Sequence, residues 1–292
     1  MELELKRGGR TARVETLGGE LVSYRDERGL EYIWGGDPAY WPGRNPLLFP
    51  IVGMLKEGKI RFDGREYAME RHGFARRREF TPAARGEDWV RLELRESAET
   101  LALYPYPFRL AVEQRLTDTG FSTAVTVANP GEGPLPFCLG AHTGFRCPLE
   151  AGERFEDYEL VFPERESCPT LLLRDGLLDR PAALPYLEDT DTLPLDYRWF
   201  DALDTLIFEG LRSRSVALRS RKSGRGVRVS FDGFPMLAFW TMPGKKAPYL
   251  CIEPWHGCAA GTAEGPEFTD KAHCIVLAPG ESRTLAYRAD TL

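Results

Sequence analysis

Apolar and polar residues alternate in short stretches along much of this chain, with the period of a half-buried β-strand. Such stretches occur at 90–94, 121–127, 216–218 and 227–231. Turn residues separate many of them. Asp63-Gly64, between 59–62 and 65–69, is a strong signal for a two-residue hairpin turn, because glycine accepts the positive φ that the turn requires. Amphipathic helical patterns are scarce, so the sequence predicts an all-β protein of antiparallel strands.

Glycine and proline mark where the strands end. The Ser223-Gly224-Arg225-Gly226 segment predicts a longer turn between two strands. Proline-rich patches at 129–136 and 181–194 have strand-like sequence on both sides. We therefore expect these patches to be loops within one domain that spans residues 1–292, rather than linkers between two domains.

Composition and charge narrow the class of partner. The 292 residues are 42% hydrophobic and 28% charged, with a net charge of −6, which argues against nucleic acid because its binding proteins usually carry a basic face. No apolar run approaches the ~20 residues that span a bilayer, and the first residues lack the apolar stretch of a signal peptide. We expect a cytoplasmic protein without a membrane partner. The arginine-rich stretches 76–78 and 219–225 are interpreted as solvated strand ends or loops, which would matter only for a phosphorylated substrate.

The six cysteines do not form a metal-binding pattern. No Cys-x-x-Cys pair is present, so we expect no structural zinc and predict reduced, mostly buried thiols. They are Cys138, Cys147, Cys168, Cys251, Cys258 and Cys274.

Two histidines lie among small residues, where another group can approach the imidazole closely. They are His72, followed by Gly73, and His142, preceded by Gly140-Ala141. A substrate pocket needs such access, although two structural histidines in turns would leave the same pattern. A zinc site would need a third ligand at suitable spacing, and the sequence offers no obvious one, so no metal is expected.

Three further polar residues lie in apolar surroundings. Glu253 is the single carboxylate in the stretch 249–255, and a buried carboxylate must be hydrogen-bonded, paired or kept for chemistry. The alternative is an outward-facing strand residue. Arg44 and Asp204 have side chains suited to sugar hydroxyls, but a structural ion pair between them would give the same pattern.

Four segments together resemble the aldose 1-epimerase (galactose mutarotase) family, particularly its shorter bacterial branch. Their order and approximate spacing match, and the resemblance covers nearly the whole chain. The segments are RNPLLFP at 44–50, HGFAR at 72–76, GAH at 140–142 and CIEPW at 251–255. The chain departs from this branch after Trp255, where it reads His256-Gly257-Cys258, so one wall of the pocket has changed. We interpret His256 as a wall or surface residue.

The resemblance implies a single antiparallel β-supersandwich with an open sugar-binding cleft and no metal or organic cofactor. It assigns Glu253 as general base, His142 as general acid at the ring oxygen and His72 as the second pocket histidine. Arg44 and Asp204 match substrate-binding positions. The implied function is mutarotation of a free aldose, a small-molecule substrate, whereas the oligomeric state is not indicated. Two alternatives stay open: a hexose-6-phosphate 1-epimerase and a non-catalytic carbohydrate-binding protein.

Overall fold

Antiparallel strands joined by turns make up most of the structure. It is a computed structural model that describes residues 1–292, apart from the side chain of Pro185. Two short helices are present, α1 (Ala98–Leu101) and α2 (Tyr197–Leu203). The strands are β1 (Glu2–Arg7), β2 (Arg10–Glu15), β3 (Glu20–Arg25), β4 (Leu47–Leu48), β5 (Lys59–Phe62), β6 (Arg65–Ala68), β7 (Thr81–Arg85), β8 (Trp89–Arg95), β9 (Arg109–Leu116), β10 (Gly120–Ala128), β11 (Leu135–Phe137), β12 (Leu139–Ala141), β13 (Thr143–Arg146), β14 (Tyr158–Arg174), β15 (Leu177–Pro194), β16 (Thr205–Glu209), β17 (Ser215–Ser220), β18 (Gly226–Ser230), β19 (Met236–Trp240), β20 (Tyr249–His256), β21 (Ile275–Leu277) and β22 (Ser282–Thr291).

One sheet of 15 strands forms the body of the protein. Its order is β4-β12-β20-β19-β16-β14-β17-β18-β22-β10-β9-β8-β7, and β13 and β15 add to β20 and β14 respectively. Smaller sheets are formed by β1-β2-β3, β5-β6 and β11-β21. The paired strands run antiparallel throughout, which confirms the predicted all-β class.

The hydrophobic alternation predicts the core-facing side of the strands correctly. In β8, Val90, Leu92 and Leu94 are buried while their neighbours are more exposed, because successive side chains of a strand point to opposite faces. The hairpin turn between β5 and β6 is also confirmed. Asp63 and Gly64 have φ values of 51° and 76°, as a turn with two positive φ angles requires.

The second proline-rich patch was expected to be a loop, and that expectation is wrong. Residues 181–194 lie in β15, whose one partner strand in the described structure is β14, with a single further bridge from Leu178 to Gly261. Proline lacks the N–H that a central strand would use, but an edge strand with interrupted pairing tolerates it. The β14–β15 ladder has four register shifts, and Pro181 falls at one of them, between Asp179 and Leu184, whereas Pro194 is the last residue of β15 and lies opposite Glu159.

Strand β20, which carries Glu253, is paired with other strands along both of its edges. It pairs with β19 along one edge and with both β12 and β13 along the other. Because strand side chains alternate, Cys251, Glu253 and Trp255 share one face of β20. None of the helices in the described chain combines the length and apolarity needed to cross a membrane.

Candidate active site

A cleft of about 550 Å³ lies over this face of β20. It brings together four of the five predicted site residues, His72, His142, Asp204 and Glu253. The other residues that line it are Trp41, Pro46, Gly53, Met54, Arg71, Arg76, Leu173, Asp175, Gly176, Thr205, Trp240, Met242, Pro243, Trp255 and Ala259. A larger cavity of about 630 Å³ elsewhere is lined by residues such as Met69 and Arg77 and contains none of the predicted acid–base groups. The chemistry therefore points to the smaller cleft.

Glu253 lies on the floor of the cleft with only 1% of its side chain exposed. Burial raises the pKa of its carboxyl well above the usual range, the Trp255 indole opposes this pKa shift, and the Asp204 carboxylate adds to it. Among the described residues, neither Oε2 of Glu253 nor Nε1 of Trp255 has a hydrogen-bond partner. The indole and the carboxylate are neighbours, but their arrangement does not satisfy the geometry of a hydrogen bond between them. A buried carboxylate oxygen without a partner is available to a hydroxyl group of a ligand.

His142 joins β12 to β13 and reaches the same carboxylate. Its Nε2 lies 3.4 Å from Oε1 of Glu253. The imidazole stacks on Trp41, with ring centroids 4.8 Å apart, and meets Trp240 edge-on at 5.5 Å. Burial lowers the pKa of His142 to about 3, and the positive charges of Arg76 and Arg71 contribute to this shift. The unliganded imidazole is therefore neutral at pH 7.

His72 is held by a strained turn above the floor of the cleft. Its φ is +66°, which only local contacts make tolerable for a residue with a side chain. The backbone N–H of His72 donates to the Gly53 carbonyl (2.9 Å), and the Gly53 N–H donates to Nδ1 of His72 (3.1 Å). Since Nδ1 accepts this bond, the neutral ring carries its proton on Nε2 and can donate it to a ligand. The ring lies edge-on to His142 at 5.6 Å.

The turn that carries His72 requires glycine at position 73. Its φ is +69°, and an added Cβ would lie 2.2 Å from the carbonyl oxygen of Phe49. Only glycine fits this approach between the turn and the segment at Phe49, so Gly73 fixes where His72 enters the cleft.

Asp204 lies where α2 ends, also in a left-handed conformation with φ +62°. Its Oδ2 accepts a hydrogen bond from the Thr205 hydroxyl (2.8 Å). The carboxylate lines the cleft and is the charged group whose repulsion adds to the raised pKa of Glu253. A carboxylate at this position can accept hydrogen bonds from sugar hydroxyls.

Arg44 does not reach the cleft, contrary to its predicted substrate-binding position. Its Nε donates to the Gly35 carbonyl (3.1 Å), and its Nη1 lies 3.7 Å from Oε1 of Glu15. The Glu20 carboxylate accepts a hydrogen bond from the Arg44 backbone N–H (3.0 Å), and Pro46 lines the cleft instead. The alternative ion pair between Arg44 and Asp204 is likewise absent among the described residues.

Two arginines also line the cleft, of which Arg71 was not predicted and Arg76 was considered only for a phosphorylated substrate. Arg71 and Arg76 flank the HGFA segment and line the cleft, although Arg76 was expected to be solvated. That expectation is wrong: burial, more than any other cause, lowers the pKa of Arg76. The available signal was the spacing, because a tight turn at His72-Gly73 brings both of its flanks to the same side.

The cleft residues also include a potential donor set for a metal ion. Ligand atoms of His142, Cys251 and Glu253 lie within 4.8 Å of one another. Burial raises the pKa of the Cys251 thiol and of the Glu253 carboxyl well above their usual ranges, which opposes the deprotonated forms that a metal ion would need as ligands. Five of the six cysteines are buried and Cys274 is half-buried, as predicted.

His256 lies outside the cleft. Its Nδ1 is 2.9 Å from the carbonyl oxygen of His273, and it is absent from the set of described residues that line the cleft. Of the two predicted roles, its position at the end of β20 fits a half-buried surface residue and not a wall of the cleft, and it is not a third acid–base group there.

The chain is similar to known proteins over almost its whole length. The model of the aldose 1-epimerase family matches residues 1–289. The plasmid and chromosomal LacX proteins of Lactococcus lactis subsp. lactis are each 40% identical over 295 aligned residues, which cover 98% of both chains.

Solved structures show the same fold. A galactose mutarotase related enzyme from Lactobacillus acidophilus has a TM-score of 0.95 at 27% identity, covering 100% of this chain and 97% of that one. A galactose mutarotase-like protein from Lactobacillus casei has a TM-score of 0.90 at 28% identity and covers all of both chains. The predicted β-supersandwich is thereby confirmed.

Proposed function

Because the chain belongs to the aldose 1-epimerase family, a class of isomerases that act on carbohydrates, we propose that it interconverts the α and β anomers of a free aldose by general acid–base catalysis. Mutarotation opens a cyclic hemiacetal. A base removes the proton of the anomeric hydroxyl while an acid protonates the ring oxygen, and the aldehyde then rotates and closes on its other face. The two oxygens involved are bonded to the same carbon, so the base and the acid must be neighbours.

Glu253 and His142 satisfy that requirement. Glu253 is the base at the anomeric hydroxyl, and its unpartnered Oε2 supplies the accepting oxygen. His142 is the acid at the ring oxygen, and its Nε2 lies 3.4 Å from the other carboxylate oxygen. Each positioned acid or base contributes roughly 10²–10⁴-fold, which is enough for a reaction that proceeds unaided in water.

One shared proton completes the catalytic cycle. Burial favours the neutral carboxyl of Glu253 and the neutral imidazole of His142 in the empty cleft. The working form, carboxylate beside imidazolium, has the same number of protons and differs only in which partner holds the proton. Transfer of this proton from Glu253 to His142 produces the working form. Ring opening then moves a proton from the anomeric hydroxyl to Glu253 and a proton from His142 to the ring oxygen. Ring closure reverses both transfers, so no net exchange of protons with water is needed.

The remaining cleft residues hold the sugar. His72 donates from Nε2, Asp204 accepts from hydroxyl groups, and Trp41, Trp240 and Trp255 offer apolar surface to the faces of the ring. The observation that carries the proposal is the buried carboxyl of Glu253, which faces the cleft with one oxygen beside His142 and the other without a partner.

Polarimetry tests this function directly. Freshly dissolved α-glucose and α-galactose, followed with and without the protein, should reach anomeric equilibrium faster in its presence. A non-catalytic carbohydrate-binding protein would bind the sugars in calorimetry and leave the rate at that of the buffer control. Running glucose 6-phosphate and galactose 6-phosphate in the same assay compares the hexose-6-phosphate alternative, whose acid–base step is identical.

A further inference from the structure

The four arginines between residues 71 and 78 are used in two different ways. Arg77 and Arg78 pair with the carboxylates of Glu70 and Glu99. Arg71 and Arg76, named here the arginine pair, line the cleft instead. Among the described residues, no carboxylate oxygen lies within 4.0 Å of either guanidinium of the arginine pair.

The hydrogen bonds of the arginine pair leave most of its donors free. Arg71 contacts the sulfur of Met54 through Nη2 (2.7 Å), and Arg76 donates through Nη2 to the Arg71 carbonyl (2.7 Å). Nε of Arg76 is buried and has no hydrogen-bond partner in the described part of the chain. Arg71 is exposed, so solvent reaches its remaining donors, whereas Arg76 is half-buried. A half-buried cation with an unused buried donor is costly unless an anion or other acceptor joins it. The chain has 44 acidic residues against 38 basic ones, so carboxylates are plentiful elsewhere.

The arginine pair lies on the histidine side of the cleft. Arg76 and Arg71 are the cations whose charge helps to lower the pKa values of His142 and His72. Asp204, in contrast, is the charged group that acts on Glu253. The cations of the cleft therefore act on its histidines, and the Asp204 carboxylate acts on Glu253. Asp175 also lines the cleft, but its carboxylate forms no ion pair with either guanidinium among the described residues.

This placement identifies the part of a sugar that meets the arginine pair. When the anomeric hydroxyl faces Glu253 and the ring oxygen faces His142, C5 lies beyond the ring oxygen, on the histidine side. The exocyclic C6 group is attached to C5 and extends in the same direction. A phosphate at C6 would present several oxygens to two guanidinium groups, whose planar forks match phosphate geometry.

We infer that Arg71 and Arg76 form a subsite for a phosphate at C6, and that an aldose 6-phosphate is a better substrate than the same sugar without the phosphate. The inference rests on the proposed function, because it uses the orientation that mutarotation requires. It extends that function from the reacting end of the sugar to the group that sets substrate preference.

The test compares galactose with galactose 6-phosphate, and glucose with glucose 6-phosphate, in the wild type and in the double variant Arg71→Gln/Arg76→Gln. The wild type should give a kcat/KM at least about 10-fold higher for the phosphorylated sugar. The double variant should lower that kcat/KM by roughly 10- to 100-fold, mainly through KM, since two charge-assisted contacts are lost. The unphosphorylated sugar should lose far less. Arg77→Gln is the matched control and should keep both values, because Arg77 pairs with Glu70 outside the cleft.

Calorimetry of Glu253→Gln with galactose 6-phosphate separates this inference from the proposed function. Binding that disappears when Arg71→Gln/Arg76→Gln is added supports the subsite even if no variant turns over any sugar, a result that would overturn the mutarotase function alone. Equal kcat/KM for both sugars, with equal losses in the double variant, would overturn the subsite alone. A higher kcat/KM for galacturonate than for galactose 6-phosphate would overturn the assignment to phosphate.

Discussion

Nε2 of His142 lies 3.4 Å from Oε1 of Glu253, and both side chains are almost fully removed from water. Burial shifts their pKa values in opposite directions, upward for the carboxyl and downward to about 3 for the imidazole. Such a pair holds one proton over a wide pH range and can move it between an oxygen and a nitrogen. Mutarotation removes one proton from the anomeric hydroxyl and adds one to the ring oxygen, so it requires a pair of groups that shares one proton.

The first prediction concerns the pH dependence of kcat/KM. Adding a second proton to the pair requires a pH near the lowered pKa of His142, about 3, and losing the one shared proton requires a pH above the raised pKa of Glu253. Activity should therefore hold as the pH falls through about 6.5, the ordinary histidine pKa, and should decline on the alkaline side. The profile is measured by polarimetry over the range in which circular dichroism reports a folded protein. An acid limb centred near 6.5 would show that His142 titrates as an ordinary histidine.

The second prediction separates Asp204 from Arg44. Asp204→Ala should raise KM by roughly 10- to 100-fold, because a carboxylate that accepts hydrogen bonds from the sugar is lost. Arg44→Ala should leave KM close to the wild-type value, since its guanidinium is bonded to Gly35 and Glu15 rather than directed into the cleft. Initial-rate kinetics with both variants measure the two effects. A large rise in KM for Arg44→Ala would mean that the side chain reorients onto the sugar.

The third prediction concerns metal ions. Activity should survive exhaustive dialysis against EDTA, because burial opposes the deprotonated forms of Cys251 and Glu253 that a metal ion would need as ligands. The metal content of the dialysed protein is measured beside its polarimetric rate. Loss of activity that zinc restores would show that the donor set of His142, Cys251 and Glu253 is a working metal centre.

The fourth prediction concerns the turn that carries His72. Gly73→Ala should lower the free energy of unfolding by about 2–4 kcal/mol, since the new Cβ meets the Phe49 carbonyl and the residue keeps a positive φ. Gly64→Ala is the matched control, because Gly64 also has a positive φ but an added Cβ there meets nothing within 4 Å, so its cost should be about 1 kcal/mol. Urea denaturation gives both values. Equal losses would mean that the turn at Gly73 relaxes away from Phe49.

The strands could be predicted from local sequence because hydrophobic alternation and turn residues are properties of neighbouring positions in the chain. The alternation at Val90, Leu92 and Leu94 and the turn at Asp63-Gly64 are examples, and both are confirmed. Residues 181–194 were missed because their prolines are tolerated only on an edge strand, and the sequence does not reveal which strand lies at an edge.

The cleft residues divide in a similar way. His72, His142 and Glu253 stood out because small or apolar neighbours surround them. Arg44 and Arg76 were misjudged because a guanidinium group sits at the end of a long side chain, so its direction depends on distant partners such as Gly35. The residues beside an arginine in the sequence do not indicate which distant groups its side chain will contact.

The substitution Glu253→Gln decides whether Glu253 acts as the base. The amide keeps the shape and one hydrogen-bonding oxygen but cannot accept the proton of the anomeric hydroxyl. Glu113→Gln on β9 is the control, because that carboxylate pairs with Arg115 and does not line the cleft. Polarimetric kcat should fall by roughly 10²–10⁴-fold in Glu253→Gln, with a much smaller change in KM, and should stay at the wild-type value in Glu113→Gln. Near-normal kcat in a folded Glu253→Gln protein would contradict the account.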